Sequence, residues 1–172
     1  MAEEEKKEAW LSYLALSTVI FAVCATLATF KGGSYSTQSI MSQSKASDEW
    51  AHYQAKAIKA DLYTLQSEKI EMQIEDQNSQ NLNKKLQDYK IKIKKYETEK
   101  TNIKNKAQEL ENARDQAQIH AKNFGYAIIF LQITILLSSV SGLLKKPYIW
   151  YIGIVSGSVG LVYFFNGFLL FF

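Results

Sequence analysis

Few residues in this chain are of the types that carry chemistry, and those that are lie far apart. The two histidines are His52 and His120. His52 sits in "SDEWAHYQAKAIK", Ser47 to Lys59, between Trp50 and Tyr53 and just after Asp48 and Glu49. An imidazole beside carboxylates can transfer a proton or ligate a metal. The plainer reading is a packed aromatic patch with a polar histidine on its edge. In a chain that folds back on itself, His120 comes opposite residues near 37, about fifteen positions from His52, too far for the two to share a metal. Cys24 is the single cysteine, so an intrachain disulfide is impossible and a cysteine-based metal site has too few ligands. There is no Walker motif, nucleotide fingerprint, HExxH, nucleophile elbow or paired-carboxylate site. The expectation is therefore a non-enzyme, with no catalytic residue, cofactor or metal.

What the sequence specifies strongly is placement. Of the 172 residues, 22% are charged and the net charge is +3. That charge is too small to point to a nucleic-acid partner, and no recognised nucleic-acid motif is present. All but four of the twenty Lys and Arg lie between Lys31 and Lys122, and long charge-free apolar blocks lie toward both ends.

Three apolar blocks follow from that segregation. The first is "WLSYLALSTVIFAVCATLATF", Trp10 to Phe30. Roughly 20 such residues cross the ~30 Å hydrocarbon core as a helix. A cleaved signal peptide would have a shorter apolar run, ~7–15 residues, after a basic flank; "MAEEEKKEA" is not simply basic. A lipoprotein site at "FAVC" lacks the small residue expected before the cysteine, since Val23 stands there. A retained anchor is the expectation. The second block is Phe124 to Leu144 and the third Tyr148 to Phe172, separated by Lys145, Lys146 and Pro147. They predict a tight antiparallel pair of spans, with Tyr148, Trp150 and Tyr151 in an interfacial aromatic belt. The positive-inside rule puts the short Lys145–Lys146 loop, and with it the N-terminus, in the cytoplasm. The middle segment carries sixteen Lys and Arg, but at about 93 residues it is long enough to translocate regardless of charge.

The middle segment must bring the chain back to the bilayer. From Leu82 onward it keeps a 4-3 spacing through Leu86, Tyr89, Ile93, Tyr96, Ile103, Ala107, Leu110, Ala117, Ala121 and Phe124, interrupted only by Lys100 and Arg114. That is a coiled-coil seam. The first arm has the same spacing at Ala51, Ala55, Ile58, Leu62, Leu65 and Met72, with Lys69 the exception. One unbroken helix from Gly33 to Asn123 would be ~135 Å long. "DQNSQN", Asp76 to Asn81, gathers turn-forming residues without an apolar one. It divides the segment into equal arms and predicts the tip of an antiparallel hairpin ~60 Å long. Charge agrees: three Lys against seven acids from Ala46 to Asp76, nine Lys against three acids from Leu82 to Lys106. Folding about residue 78 or 79 sets Lys69 against Asp88, Glu68 near Lys90, Lys59 near Glu97 and Glu99, and Lys45 near Glu111. Such exposed pairs choose register more than they stabilise, at ~0.2–1 kcal/mol each.

A second apolar stripe, Ala46, Trp50, Tyr53, Ala57 and Ala60, runs beside the first. One stripe suffices for a two-helix hairpin, so the second is expected to touch another subunit; the alternative is that both pack within one chain. In the last block, Gly153 and Gly157 form a GxxxG with Gly160 one turn on, matched by Ser138 and Gly142. Such small residues pack helices closely in lipid, within a chain or between chains. Gln132 and Asn166 are the only amides well inside the spans, where interhelical hydrogen bonding is their ordinary role. The absence of Asp, Glu, Lys, Arg or His there argues against a proton-coupled pump. "GGSYSTQSIMSQS", Gly32 to Ser44, reads as a flexible or partly helical connector, and Ser47 as a helix cap.

This plan, with "KASDEWAHYQAKAIKADLY" from Lys45 to Tyr63, resembles a bacterial membrane-protein family catalogued as a domain of unknown function, number 4337. The likeness covers most of the chain: an N-terminal span, a K-A-S-D-x-W-x-x-Y-Q-A-K-like segment, a charged helix and a final pair of spans around a short basic turn. It implies a bacterial inner-membrane protein and brings no activity or catalytic residue.

The expected fold is an all-α integral membrane protein with three transmembrane helices and a long antiparallel coiled-coil hairpin. Its parts are a tail (1–9), spans (10–30, 124–144, 148–172), a connector (31–45) and a hairpin (46–123) with its tip near 76–81. The expected function is a membrane-anchored homo-oligomeric scaffold or envelope assembly, in contact with lipid and with an unidentified protein partner left open. Its candidate oligomer contacts are Ala46, Trp50, Tyr53, Ala57, Ala60, Gly153, Gly157 and Gly160. The alternative is a subunit of an oligomeric channel or mechanosensitive pore, motivated by Ser17, Thr18 and Thr29.

Overall fold

The structure, a computed structural model, describes residues 2–76 and 80–171, with side chains from residue 10 to 74 and from 80 to 171. Those residues form three α-helices and no strand: α1 (Ala2–Asp76), α2 (Gln80–Leu144) and α3 (Pro147–Leu169). Helices α1 and α2 pack antiparallel as a hairpin. The reversal expected near 76–81 is bracketed by the end of α1 and the start of α2; its centre, residues 77–79, lies outside the described residues. The chain divides into two compact units, Met1–Ser39 with Asp115–Phe172, and Ile40–Arg114.

Helix α1 runs without a break through residues 31–45, where a flexible or partly helical connector was expected, and Ser47 is interior to it rather than a cap. Two adjacent glycines cost roughly 1 kcal/mol each in a helix, and packing at Gly32 offsets this in part. Gly32 is buried so closely that a Cβ there would lie 3.0 Å from Phe124 Cβ. One turn on, the Tyr35 ring stacks on His120 with centroids 4.5 Å apart.

In the unit Ile40–Arg114, the α2 seam is where its spacing puts it. Leu82, Leu86, Tyr89, Ile93, Tyr96, Ile103 and Leu110 are half-buried and Ala107 is buried. The interrupting Lys100 and Arg114 are half-buried in the same row. On α1 the expected face is reversed. The stripe of Ala51, Ala55, Ile58, Leu62, Leu65 and Met72 points outward, and every member is exposed. The face on α2 is instead the second stripe, extended by Tyr63, Thr64, Ser67 and Ile70. Ala60 is 1% exposed and Leu62 53%.

The physical reason lies in what α2 presents. Its seam carries Tyr89, Tyr96 and Lys100, which are poor partners for a flat aliphatic row and good ones for aromatic rings. Tyr63 lies against both Tyr89 and Tyr96, with centroids 5.3 and 5.8 Å away. Lys92 lies over Tyr63 at 5.0 Å, Lys56 over Tyr96 at 5.3 Å and Lys100 over Tyr53 at 5.7 Å. Each such contact contributes ~0.5–1 kcal/mol at an exposed site. Between the rings, the small Ala46, Ala60 and Ser67 let the helices approach.

The register is nevertheless the expected one. Lys56 pairs with Glu99 at 2.7 Å, Lys90 with Glu71 at 2.7 Å, and Lys106 with Glu49. The midpoints of these pairs fall between 77.5 and 80.5. The partners differ from those expected by a few positions because α1 is rotated about its axis.

Helix α2 ends on a left-handed residue, Lys145 at φ 53°, and the Lys146 N–H donates to the Ser141 carbonyl at 3.2 Å. This is a Schellman cap built without its usual glycine. The Ser141 hydroxyl donates to the Lys146 carbonyl at 2.8 Å, closing the other side of the turn. Pro147 then starts α3, where its missing N–H costs nothing.

The two stripes of α1 therefore differ in their tolerance. Ala60→Phe should destabilise the hairpin by about 1–3 kcal/mol through overpacking, whereas Leu62→Ser should change the stability of one chain by less than ~0.5 kcal/mol. Thermal unfolding followed by circular dichroism, in detergent dilute enough to hold single chains, compares them.

Candidate functional site

The residues singled out for contact between subunits are engaged within the chain. Ala46 and Ala60 are buried in the hairpin. The Trp50 indole N–H donates to Glu111 Oε1 at 2.9 Å, and its ring meets Tyr53 edge-on at 5.6 Å. Ala57 is half-buried. Near them Arg114 donates to Gln43 Oε1 at 2.6 Å.

The glycines of α3 are filled from the same unit. A Cβ on Gly153 would stand 3.3 Å from Leu137 Cβ, and one on Gly160 3.1 Å from the Leu131 backbone nitrogen. On Gly157 it would meet the Phe21 ring at 2.6 Å. This close approach lets backbone carbonyls accept bonds across helices: Thr134 donates to Gly153 O at 3.0 Å, and Ser156 to Phe130 O at 3.1 Å. The Trp150 indole N–H donates to Ser17 Oγ at 3.1 Å, tying α3 to α1. The two amides of the spans part company. Asn166 is fully buried and its Oδ1 accepts the Phe171 N–H at 2.6 Å, closing the end of α3. Gln132 lies on the outer surface.

His52 is exposed, and its nearest carboxylate oxygen belongs to Glu49, 4.0 Å away and one turn earlier. His120 Nδ1 lies 2.8 Å from the Gly167 carbonyl; a carbonyl only accepts, so Nδ1 carries the proton. With Tyr35 stacked on its face, this imidazole ties α2 to α3 and α1. Cys24 is half-buried and free. Among the described residues no group of three or more His, Cys, Asp or Glu could hold a metal ion.

Among the features turned outward are the heptad-spaced stripe from Ala51 to Met72, and Gln132. Sequence reasoning found both sets of residues and gave the stripe the wrong face. Two parallel stripes with equal spacing look alike until their partners are known. The cross-helix bonds of Trp50 and His120 had no counterpart in any motif.

Electrostatics within the hairpin concentrate at residues 97–100. The Lys56 ammonium bonded to Glu99 holds its carboxyl below the ordinary glutamate range, and Lys95 adds to this. Lys100, bonded to Glu97 at 2.8 Å, is held above the ordinary lysine range.

A family model described as a domain of unknown function, DUF4337, matches residues 10–170. No curated protein and no solved structure matches the chain.

A lowered carboxyl contributes stability that is complete above the unfolded value, about 4.3 for glutamate, and is lost as pH falls through the lower folded value. The raised Lys100 contributes below about 10.4 and loses its contribution as pH rises through its folded value. Glu99→Gln should therefore lower the melting temperature at pH 7 and flatten the profile on the acid side of pH ~4. The alkaline limb should stay as in the parent. Melting temperature against pH for the two proteins tests this.

Proposed function

The chain belongs to the DUF4337 family, and we propose that it is a non-enzymatic, membrane-anchored coiled-coil protein that assembles with copies of itself into a scaffold of the bacterial envelope. The three helices are each long and apolar enough to cross a membrane. In this reading they lie in the inner membrane with the N-terminus in the cytoplasm and the residue 40–114 hairpin outside it.

The observation that carries self-association is Gln132. It stands in the middle of the apolar part of α2 and is exposed on the outer surface of its unit. An amide left unbonded against hydrocarbon costs several kcal/mol, whereas a side-chain hydrogen bond between membrane helices contributes ~0.6–2 kcal/mol. A second copy is the simplest source of a partner. The pore alternative draws on Ser17, Thr18 and Thr29, but these hydroxyls donate to the carbonyls of Leu14, Leu14 and Ala25 in their own helix. Their polarity is met without a water-filled path, so no specific observation favours that alternative.

Mass photometry of the purified protein in mild detergent should show discrete multimers, and Gln132→Leu should shift them toward smaller species without loss of helix content. A population of monomers alone would remove the proposal. For orientation, a membrane-impermeant thiol reagent applied to spheroplasts should label a cysteine replacing Thr98 in a Cys24→Ser background; labelling only after lysis would reverse the topology.

A further inference from the structure

We infer that α1 opens locally between Gly33 and Lys45 while α2 stays closed at the same level, so that one arm of the hairpin is a compliant joint and the other a continuous rod. The inference is independent of self-association. The thirteen residues from Gly33 to Lys45 include one glycine, five serines and one threonine. Serine and threonine hydroxyls compete with the helix for its own backbone groups, and glycine gives up the most chain entropy on entering a helix. Tyr35 meets His120 and Gln43 meets Arg114, so residues 112–122 of α2 lie at this level. Those eleven residues include three alanines, two glutamines, an arginine and a lysine, all strong helix formers.

Packing does not make up the difference in α1. From Ser36 to Lys45 no apolar side chain is buried: Ile40 is 71% exposed and Met41 53%. The side chains turned inward are the half-buried Ser39 and the buried Ser42, which are too small to bury much apolar area. The stack of Tyr35 on His120 bounds this stretch at one end, and the buried Ala46 bounds it at the other. Helix with few buried apolar contacts and a solvent-exposed backbone is the part of a fold that opens locally. Gly33 adds to this. Nothing lies within 4 Å of the place its Cβ would take, whereas Phe124 fills the corresponding space at Gly32. The Thr37 hydroxyl donates back to the Gly33 carbonyl at 3.0 Å, a bond that bends a helix and slightly destabilises it. Load on the hairpin is therefore taken up first in α1 at this level, and α2 keeps its continuity.

The test is hydrogen–deuterium exchange of the full-length protein in detergent, read by mass spectrometry on peptides covering 34–45 and 112–122. Both stretches lie at one level, so shielding by the micelle acts on them alike. Amides of 34–45 should exchange at least ~tenfold faster than those of 112–122. A Gly33→Ala, Ser34→Ala, Ser36→Ala variant, changed only at exposed positions, should slow exchange in 34–45 by ~tenfold and leave 112–122 as in the parent. Equal exchange in the two stretches of the parent protein would overturn the inference. Fast exchange in 34–45 that the three alanines leave unchanged would overturn it as well, and so would a slowing of both stretches together.

Discussion

A helix has only one face to give to each neighbour, and α1 carries two apolar faces in the same stretch. Which of them meets α2 determines what the rest of the hairpin can do. The aromatic face is favoured because α2 answers it with tyrosines and lysines in the seam. Rings of Tyr63, Tyr89 and Tyr96 lie together, and the Lys92, Lys56 and Lys100 ammonium groups lie over tyrosine rings. An aliphatic row offers those cations nothing. Ala46 and Ala60 complete the match by leaving room for the larger side chains around them. The aliphatic row then has no partner in its own chain.

The unit holding the apolar blocks solves a related problem by different means. Under the proposed membrane placement, water supplies no driving force between these helices, and close backbone approach and cross-helix hydrogen bonds take its place. Gly153, Gly157 and Gly160 admit Leu137, Phe21 and Leu131, and Thr134, Ser156 and Trp150 bond across the gaps. His120 does the same for Gly167. Gln132 stands apart from this pattern because it faces outward. Two outward features on one chain, an amide in an apolar helix and a heptad row in a charged one, are a sufficient reason to look for other copies.

Much of this was legible in the residues. The α2 seam followed from spacing alone, because its apolar row has no rival on the same helix. The three apolar blocks followed from length and missing charge, and a reversal between α1 and α2 followed from turn-forming residues and complementary charge. The face of α1 did not follow. Periodicity reports that a stripe exists and cannot say what lies opposite it. The continuity of α1 through Gly32 and Gly33 was hidden for a similar reason: glycine reads as a break until Phe124 is seen filling the space it leaves. Nor does spacing announce that the Trp50 indole is met within the chain by Glu111.

Every contact described within the hairpin depends on α1 and α2 doubling back in this register. Spin labels at Gln54 and Lys104, both exposed, test it by pulsed electron resonance on the reconstituted protein. The hairpin places them within about two helix diameters, ~20 Å, and a narrow distribution at that distance is the predicted result. A distance near ~75 Å, the length of fifty residues in one continuous helix, would contradict it.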